Sequence, residues 1–307
     1  MRRTLRRAKR PAFWYFSRMV RRVAFHRTKY GRELLVDIAW IHDMPAFILD
    51  EPHALDFHDI LLVTRGRGTF FLDGEPLEVR PGRIFFTMPG QVRQWRVSNL
   101  DGVCLFFPAI FLQEFFRDAD FVDRLPYFRR RGHDAGYSSA VSVAPRTASS
   151  LLRMLLAMRD ELPPVRPDSV HLLRAQLYEI LLRLARVHTA AHPAPPLAPA
   201  HPIVRRYQAL VDKHFHRVHR TADYARKLAI TPGHLTSLCT AHLGRSAKRL
   251  LQERIALEAR RLLLYSDRTA ESIAQQLGFA DSSYFGRFFR KMSGKSPRRF
   301  RSENAGQ

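Results

Sequence analysis

Ser272-Ile-Ala-Gln-Gln-Leu-Gly-Phe-Ala-Asp-Ser-Ser-Tyr-Phe-Gly-Arg-Phe-Phe-Arg-Lys-Met292 is the stretch whose reading decides the fold. It reads as helix, tight turn, helix. Ile273, Ala274 and Leu277 fall at i, i+1 and i+4, one apolar face of a short helix. Gly278 stands where that helix must stop, and glycine relieves the left-handed strain of the stop. Asp281 or Ser282 offers a side-chain oxygen to cap a second helix. There Phe285, Phe288, Phe289 and Met292 repeat at i, i+3, i+4 and i+7 as an inward face. The other face carries Ser283, Tyr284, Arg287, Arg290 and Lys291, a short, polar and basic face that suits a DNA major groove. Two amphipathic helices with a solvated basic face would read the same way.

Fifty residues upstream the pattern recurs. Leu235, Leu238, Cys239 and His242 precede Phe285, Phe288, Phe289 and Met292 by fifty positions, as Gly244 and Ser246 precede Gly294 and Ser296. Ala225 and Leu228 precede Ala274 and Leu277 by forty-nine, so the second turn is one residue longer. A duplicated unit is much harder to dismiss than a single one.

The order Ser272-Ile-Ala-x-x-Leu-Gly-Phe-x-Asp-x-Ser-Tyr-Phe-x-Arg-x-Phe-Arg-Lys-x-x-Gly-x-Ser-Pro297 closely resembles the signature of the AraC/XylS family of transcriptional regulators. The resemblance covers about the last hundred residues. It implies two helix-turn-helix units joined by a long helix from Ala247 to Tyr265, each unit offering a recognition helix to successive major-groove segments. It implies that the family's base-reading positions fall on Gly233, Thr236 and Ser237 in the first unit; beside them, His234 is expected near phosphate or base. Recognition helices read bases with their exposed N-terminal side chains, which in the second unit are Ser283, Tyr284 and Arg287. Arg287 is the residue expected to read a guanine by two hydrogen bonds. Arg245, Lys248, Lys291, Lys295 and Arg298 are candidates for phosphate contacts, which position rather than specify. A solvated charge is the plain alternative for any one of them.

Charge is partitioned along the chain. The net +23 divides into +11 over residues 1–30, −1 over 31–202 and +13 over 203–307. A near-neutral middle beside a basic C-terminal domain argues for a polyanionic partner of that domain. Cys104 and Cys239, the two cysteines, sit in apolar patterns and imply neither a metal nor a disulfide framework. No apolar run approaches membrane-spanning length, so the chain is expected to be cytoplasmic with no stable membrane association. Residues 1–30 set basic side chains beside Phe13-Trp-Tyr-Phe16, a pattern open to a membrane surface, to phosphates, or to a plain tail or a wrongly chosen start.

From residue 31 to 107 the chain reads as strands: Leu34 to Ile41, Phe57 to Thr64, Gly68 to Leu72, Leu77 to Val79, Arg83 to Met88 and Val103 to Phe107. Turn signals separate them at Arg65-Gly-Arg-Gly68, Asp73-Gly74, Arg80-Pro-Gly82, Pro89-Gly90 and Asn99-Leu-Asp-Gly102. Short strands at this spacing predict a barrel or jelly roll. The order His58…Gly66-x-Gly68…Asp73-Gly74…Pro81-Gly82…Phe85-Phe86…Pro89-Gly-Gln-Val-Arg-Gln-Trp95 resembles the cupin-type sensor domain attached to many AraC-family regulators. Catalytic cupins hold a metal with several histidines. Where that resemblance expects one, after Pro-Gly, this chain has Arg93, a permanent cation that cannot ligate. Arg93 either points into the barrel, where its fork suits a ligand carboxylate, or faces solvent with Arg83 and Arg96. His58, Arg93 and Trp95 are the candidate effector-binding residues.

Helical periodicity follows over Ile110 to Phe116, Ala148 to Leu162 and Ser169 to Val187. Leu173, Leu177, Ile180, Leu181 and Leu184 form a stripe that either packs on the barrel or pairs with a second subunit; the resemblance implies dimerisation. Residues 188–202 hold five prolines and read as an extended linker. The expected organisation is therefore α+β: a basic tail (1–30), a cupin-like sensor barrel with appended helices (31–187), the linker (188–202), and an all-α double helix-turn-helix domain (203–302). The expected function is a sequence-specific regulator of transcription, an activator by family habit, that senses a small-molecule effector. It would meet double-stranded promoter DNA and RNA polymerase, act as a homodimer, and need no cofactor or catalytic site. The rival reading is a metal-dependent cupin enzyme fused to a DNA-binding domain.

Overall fold

In the computed structural model, which describes residues 20–113, 121–122, 125–128, 138–162, 164–193 and 201–304, eight strands form one mixed sheet. They are β1 (Arg21–Val23), β2 (Asp37–Trp40), β3 (His53–Leu55), β4 (His58–Leu72), β5 (Glu75–Val79), β6 (Arg83–Thr87), β7 (Val92–Phe107) and β8 (Ala140–Ser142). The path is β1-β3-β7-β4-β6-β8, with β2 on β7 and β5 on β4. Only β1 against β3 is parallel.

The antiparallel pair β4–β7 is the frame, and it differs from the expected strands. The turn signals at Arg65-Gly-Arg-Gly68 and Asn99-Leu-Asp-Gly102 do not separate strands; both lie inside continuous strands of 15 and 16 residues. The register slips between Val63 and Arg65 and again between Arg65 and Arg67, as bulges do. Gly66 and Gly68 sit at φ of 114° and 140°, and a side chain at Gly68 would collide with the Arg96 carbonyl. These glycines bend the strand and let two backbones approach.

Period-two alternation sorts the strands onto two faces. Ile60, Leu62, Ile84, Phe86, Val103 and Leu105 pack in one core with the helices α3 (Pro145–Arg159) and α4 (Ser169–Ala191). Leu61, Val63, Phe70, Phe85, Trp95 and Cys104 fill a second core on the opposite face. Burial on both faces is why these strands read as continuous apolar runs. The α4 stripe from Leu173 to Leu184 belongs to the first core and is at most 2% exposed. It packs on the sheet, the first of its two possible fates.

Two expected boundaries move. Residues 21–23, placed in the basic tail, pair with β3 as β1, because the chain can satisfy an open sheet edge there. Residues 1–19, including the aromatic run, lie outside the described residues. Helix α4 continues to Ala191, four residues into the expected linker, because no proline interrupts it before Pro193. The single-turn helices α1 (Phe47–Asp50) and α2 (Ile110–Gln113) flank the sheet; the predicted continuation of α2 lies outside the described residues.

The C-terminal domain is helical throughout: α5 (Pro202–His214), α6 (Thr221–Lys227), α7 (Pro232–Leu243), α8 (Ala247–Tyr265), α9 (Ala270–Gln276), α10 (Ser282–Ser293) and α11 (Pro297–Asn304). One core holds Tyr207, Tyr224, Leu235, Cys239, Leu251, Ile255, Phe285 and Phe289. Helix α8 contributes Leu251, Ile255, Ala259 and Leu263 to it and so ties both units together.

Candidate nucleic-acid interface and the sensor cluster

The two helix-turn-helix units match in local chemistry as well as spacing. Thr231 caps α7 by accepting the His234 N–H at 3.2 Å, and Asp281 caps α10 by accepting the Tyr284 N–H at 2.6 Å. Both helices end at left-handed glycines, Gly244 (φ 67°) and Gly294 (φ 77°). Leu235 and Cys239 in α7, like Phe285 and Phe289 in α10, are fully buried. The outward positions therefore coincide too.

Besides their length, the turns differ in the residue at the stop. Gly278 takes φ 76° in the second unit, and Ala229 takes φ 56° at the matching place in the first. An L-residue in this region pays for its Cβ, by about 1–2 kcal/mol in the left-handed helical well. Ala229→Gly should stabilise the C-terminal domain by about 1 kcal/mol, since glycine's looser unfolded chain returns part of the gain. Chemical denaturation of the two proteins checks this; a destabilised variant would show that the turn is unstrained.

Ser283, Tyr284 and Arg287 all stand exposed on α10. Tyr284 is 54% exposed, and the Arg287 guanidinium lies 5.9 Å from its ring centroid. Gly233, His234 and Ser237 are exposed on α7, whereas Thr236 is half-buried on its flank. One turn further along, Thr240 and Arg290 are also exposed at matching positions. Sequence reasoning passed over Thr240, although the fifty-residue offset from Arg290 points to it.

The expected phosphate contacts separate into two groups. Lys248, Lys291 and Arg298 are exposed, and among the described residues no carboxylate pairs with them. Arg245 already pairs with Glu253 at 2.7 Å and Lys295 pairs with Glu303, so those two cations are partly neutralised.

In the sensor domain Arg93 points inward and is 4% exposed, while Arg96 remains outside. The carboxylate it meets is the chain's own Asp59. Arg93 Nε donates to His53 Nε2 at 3.2 Å, and its Nη1 reaches Thr87 Oγ1 at 3.4 Å. His53 turns Nδ1 to the Glu51 carbonyl at 3.0 Å, which leaves Nε2 free to accept. Burial and then the Arg93 charge lower the His53 pKa to about 4, so the ring is neutral at neutral pH. Burial pushes the Asp59 carboxyl up, while Arg93, Thr87 and Cys104 pull it back. Sequence reading missed Asp59 and Thr87; an acid inside the apolar run from Phe57 to Thr64 was the available signal.

Trp95 stacks on Phe70, ring centroids 4.0 Å apart, on the same face as Arg93. Its indole N–H is buried with no partner among the described residues. Trp95 also borders an open cleft of 490 Å³ beside Leu49, Asp50, Arg96 and Leu100. His58 is not brought to this group. It alternates with Asp59 to the helix-packed face, where its ring stacks on Phe107 at 5.4 Å and meets Phe128. Burial lowers its pKa to about 4. Among the described residues no three His, Cys, Asp or Glu side chains gather as metal ligands would.

Comparisons with known proteins agree with both halves. A family model described as an AraC-like ligand binding domain matches residues 38–181, and one described as a helix-turn-helix domain matches 224–303. The arabinose operon regulatory protein of Salmonella typhimurium is 25% identical over 280 residues, 83% of this chain and 87% of that one. The transcriptional activator RhaS of Klebsiella pneumoniae is 22% identical over 276 residues, covering 90% and 96%. Among solved structures, ToxT of Vibrio cholerae O395 is 13% identical over 83% of this chain and 92% of that one, with a TM-score of 0.41. No described helix is long and apolar enough to cross a membrane. With a ligand-binding domain matched over the sheet and a helix-turn-helix domain matched over the basic repeat, the chain belongs to the AraC family of transcriptional regulators.

Proposed function

We propose that this regulator activates transcription in the cytoplasm, catalyses no reaction itself, and binds promoter DNA through both units with unequal roles. The observation that carries the second point is the contrast between the matched outward faces. Tyr284 and Arg287 on α10 stand where α7 offers His234 and Ser237. An exposed arginine at the N-terminal end of a recognition helix can make two hydrogen bonds to a guanine edge; a serine cannot. The second unit therefore supplies the sharper base readout, Gly233, Thr236 and Ser237 a weaker one, and Lys248, Lys291 and Arg298 the phosphate contacts. Activation follows the habit of the named relatives and entails contact with RNA polymerase. A homodimer would pair through a surface other than the α4 stripe, which the sheet occupies.

We place the effector on the Arg93–Trp95 side of the sheet. An unpartnered buried indole N–H beside an open cleft supports that face, and the burial of His58 on the other face argues against it as a contact. The enzyme reading has less support, since a cation fills the position expected of a metal-binding histidine.

Selection of random duplex DNA on the full chain tests the regulator reading: one enriched motif is expected, and no enrichment at moderate salt would end it. Arg287→Ala should then cost about 1–3 kcal/mol at a single base pair of that motif and relax the preference there. Uniform loss over all sequences would instead make Arg287 a phosphate contact.

A further inference from the structure

One carboxylate joins the two domains. The β4–β5 hairpin turns through Asp73 and Gly74, both left-handed, at φ 53° and 83°. Asp73 takes the Arg261 guanidinium of α8 in a two-point pair, Nε to Oδ1 at 2.7 Å and Nη2 to Oδ2 at 3.0 Å. The side chains are only 12% and 11% exposed. Glu258 adds a second carboxylate 3.5 Å from Arg261 Nη1. A side chain at Gly74 would press on the end of the Leu264 side chain, and the Tyr265 hydroxyl, its pKa raised by burial and by the Asp73 charge, lies beside the same turn. Three residues on the last turns of α8 thus rest on one turn of the sensor sheet.

The same carboxylate faces the other way as well. Asp73 Oδ1 accepts the Val92 N–H at 2.9 Å, and the Asp73 N–H returns to the Val92 carbonyl at 2.8 Å. The next rung of the ladder pairs Leu72 with Arg93. Asp73 is therefore one rung from the buried Arg93–Asp59–His53 cluster and in direct contact with α8. Helix α8 contributes to the core of both units, so a restraint on its C-terminal end bears on both recognition helices.

We propose that the Asp73–Gly74 turn is a docking site for α8, that Asp73 couples the Arg93 cluster to it, and that the docked arrangement restrains DNA binding. A duplex offers its major-groove segments at a set spacing. Both recognition helices reach them together only if α8 can settle between them, and a two-point ion pair to another domain opposes that adjustment. A shift of β7 at Arg93 would move Val92, withdraw Asp73 from Arg261 and free the helix. This rests on the regulator reading above and adds the contact through which the sensor acts.

The test uses the full chain with dyes on Arg67→Cys and Ser302→Cys, both exposed positions, since native Cys104 and Cys239 are buried. Energy transfer reports docking, and titration with the enriched duplex reports affinity. Arg261→Gln should lower the transfer and tighten binding by about fivefold or more, the lower end of ordinary coupling between sites. Arg261→Lys keeps the charge and should recover part of both effects. Asp73→Asn should behave as Arg261→Gln does; Arg261→Gln is the primary variant because it leaves the hairpin's own Val92 bond intact. Unchanged transfer in Arg261→Gln would overturn the docking, and lost transfer with equal or weaker DNA binding would overturn the restraint. If the unsubstituted chain enriches no duplex at all, the regulator reading fails instead.

Discussion

Arg93→Ala is expected to lower the stability of the sensor domain by about 3–5 kcal/mol, the usual cost of removing one partner from a buried ion pair. Asp59 is 2% exposed. Without the guanidinium it must stay charged in a medium that opposes charge, or take up a proton and lose its strongest interaction. His53 loses its donor at the same time, and Thr87 one of its contacts. Urea unfolding followed by tryptophan fluorescence isolates this domain, because no tryptophan occurs after Trp95. The complementary variant sharpens the argument. Asp59→Leu with Arg93→Met removes both charges and fills similar volume, and should recover most of the lost stability. A mild effect of Arg93→Ala alone would mean that water reaches Asp59 and that the cluster is an open site.

Phe289→Ala should cost the C-terminal domain about 3–5 kcal/mol, the range for deleting a buried aromatic ring. Phe289 is fully buried, edge-on to Phe300 at 5.3 Å and beside Phe285 at 5.9 Å. Its loss leaves a cavity under the recognition helix, so affinity should fall for every DNA sequence alike. That distinguishes it from Arg287→Ala, which spares the fold and relaxes one base pair. Cys239 holds the matching place in the first unit, and Cys239→Ala removes only a sulfur there. It should cost far less. Equal losses at the two positions would show that the units do not share their core as they share their spacing. Thermal melts of the full chain, read beside duplex titrations, decide between these outcomes.

The helical repeat was legible in the chain because everything that specifies it is local. Caps, glycine stops and the i, i+3, i+4 spacing act within a dozen residues, and a second copy fifty positions away makes chance agreement implausible. The partition of charge told of a polyanionic partner for the same reason: it is a sum over a contiguous segment.

The sensor domain yielded less. Alternation located most strands, yet Gly66, Gly68 and Asn99 looked like turn residues. Only the pairing of β4 with β7 shows that they bend continuous strands. The direction of Arg93 was open until Asp59, 34 residues away, supplied its counter-charge on the same face. The α4 stripe could have met a second subunit until the sheet was seen to bury it. The longest reach is that of Asp73 to Arg261, 188 residues apart. A residue's own neighbours in sequence set its backbone preference and its periodicity. Which charge it faces, and which surface covers it, is set by segments that meet only after the chain has folded.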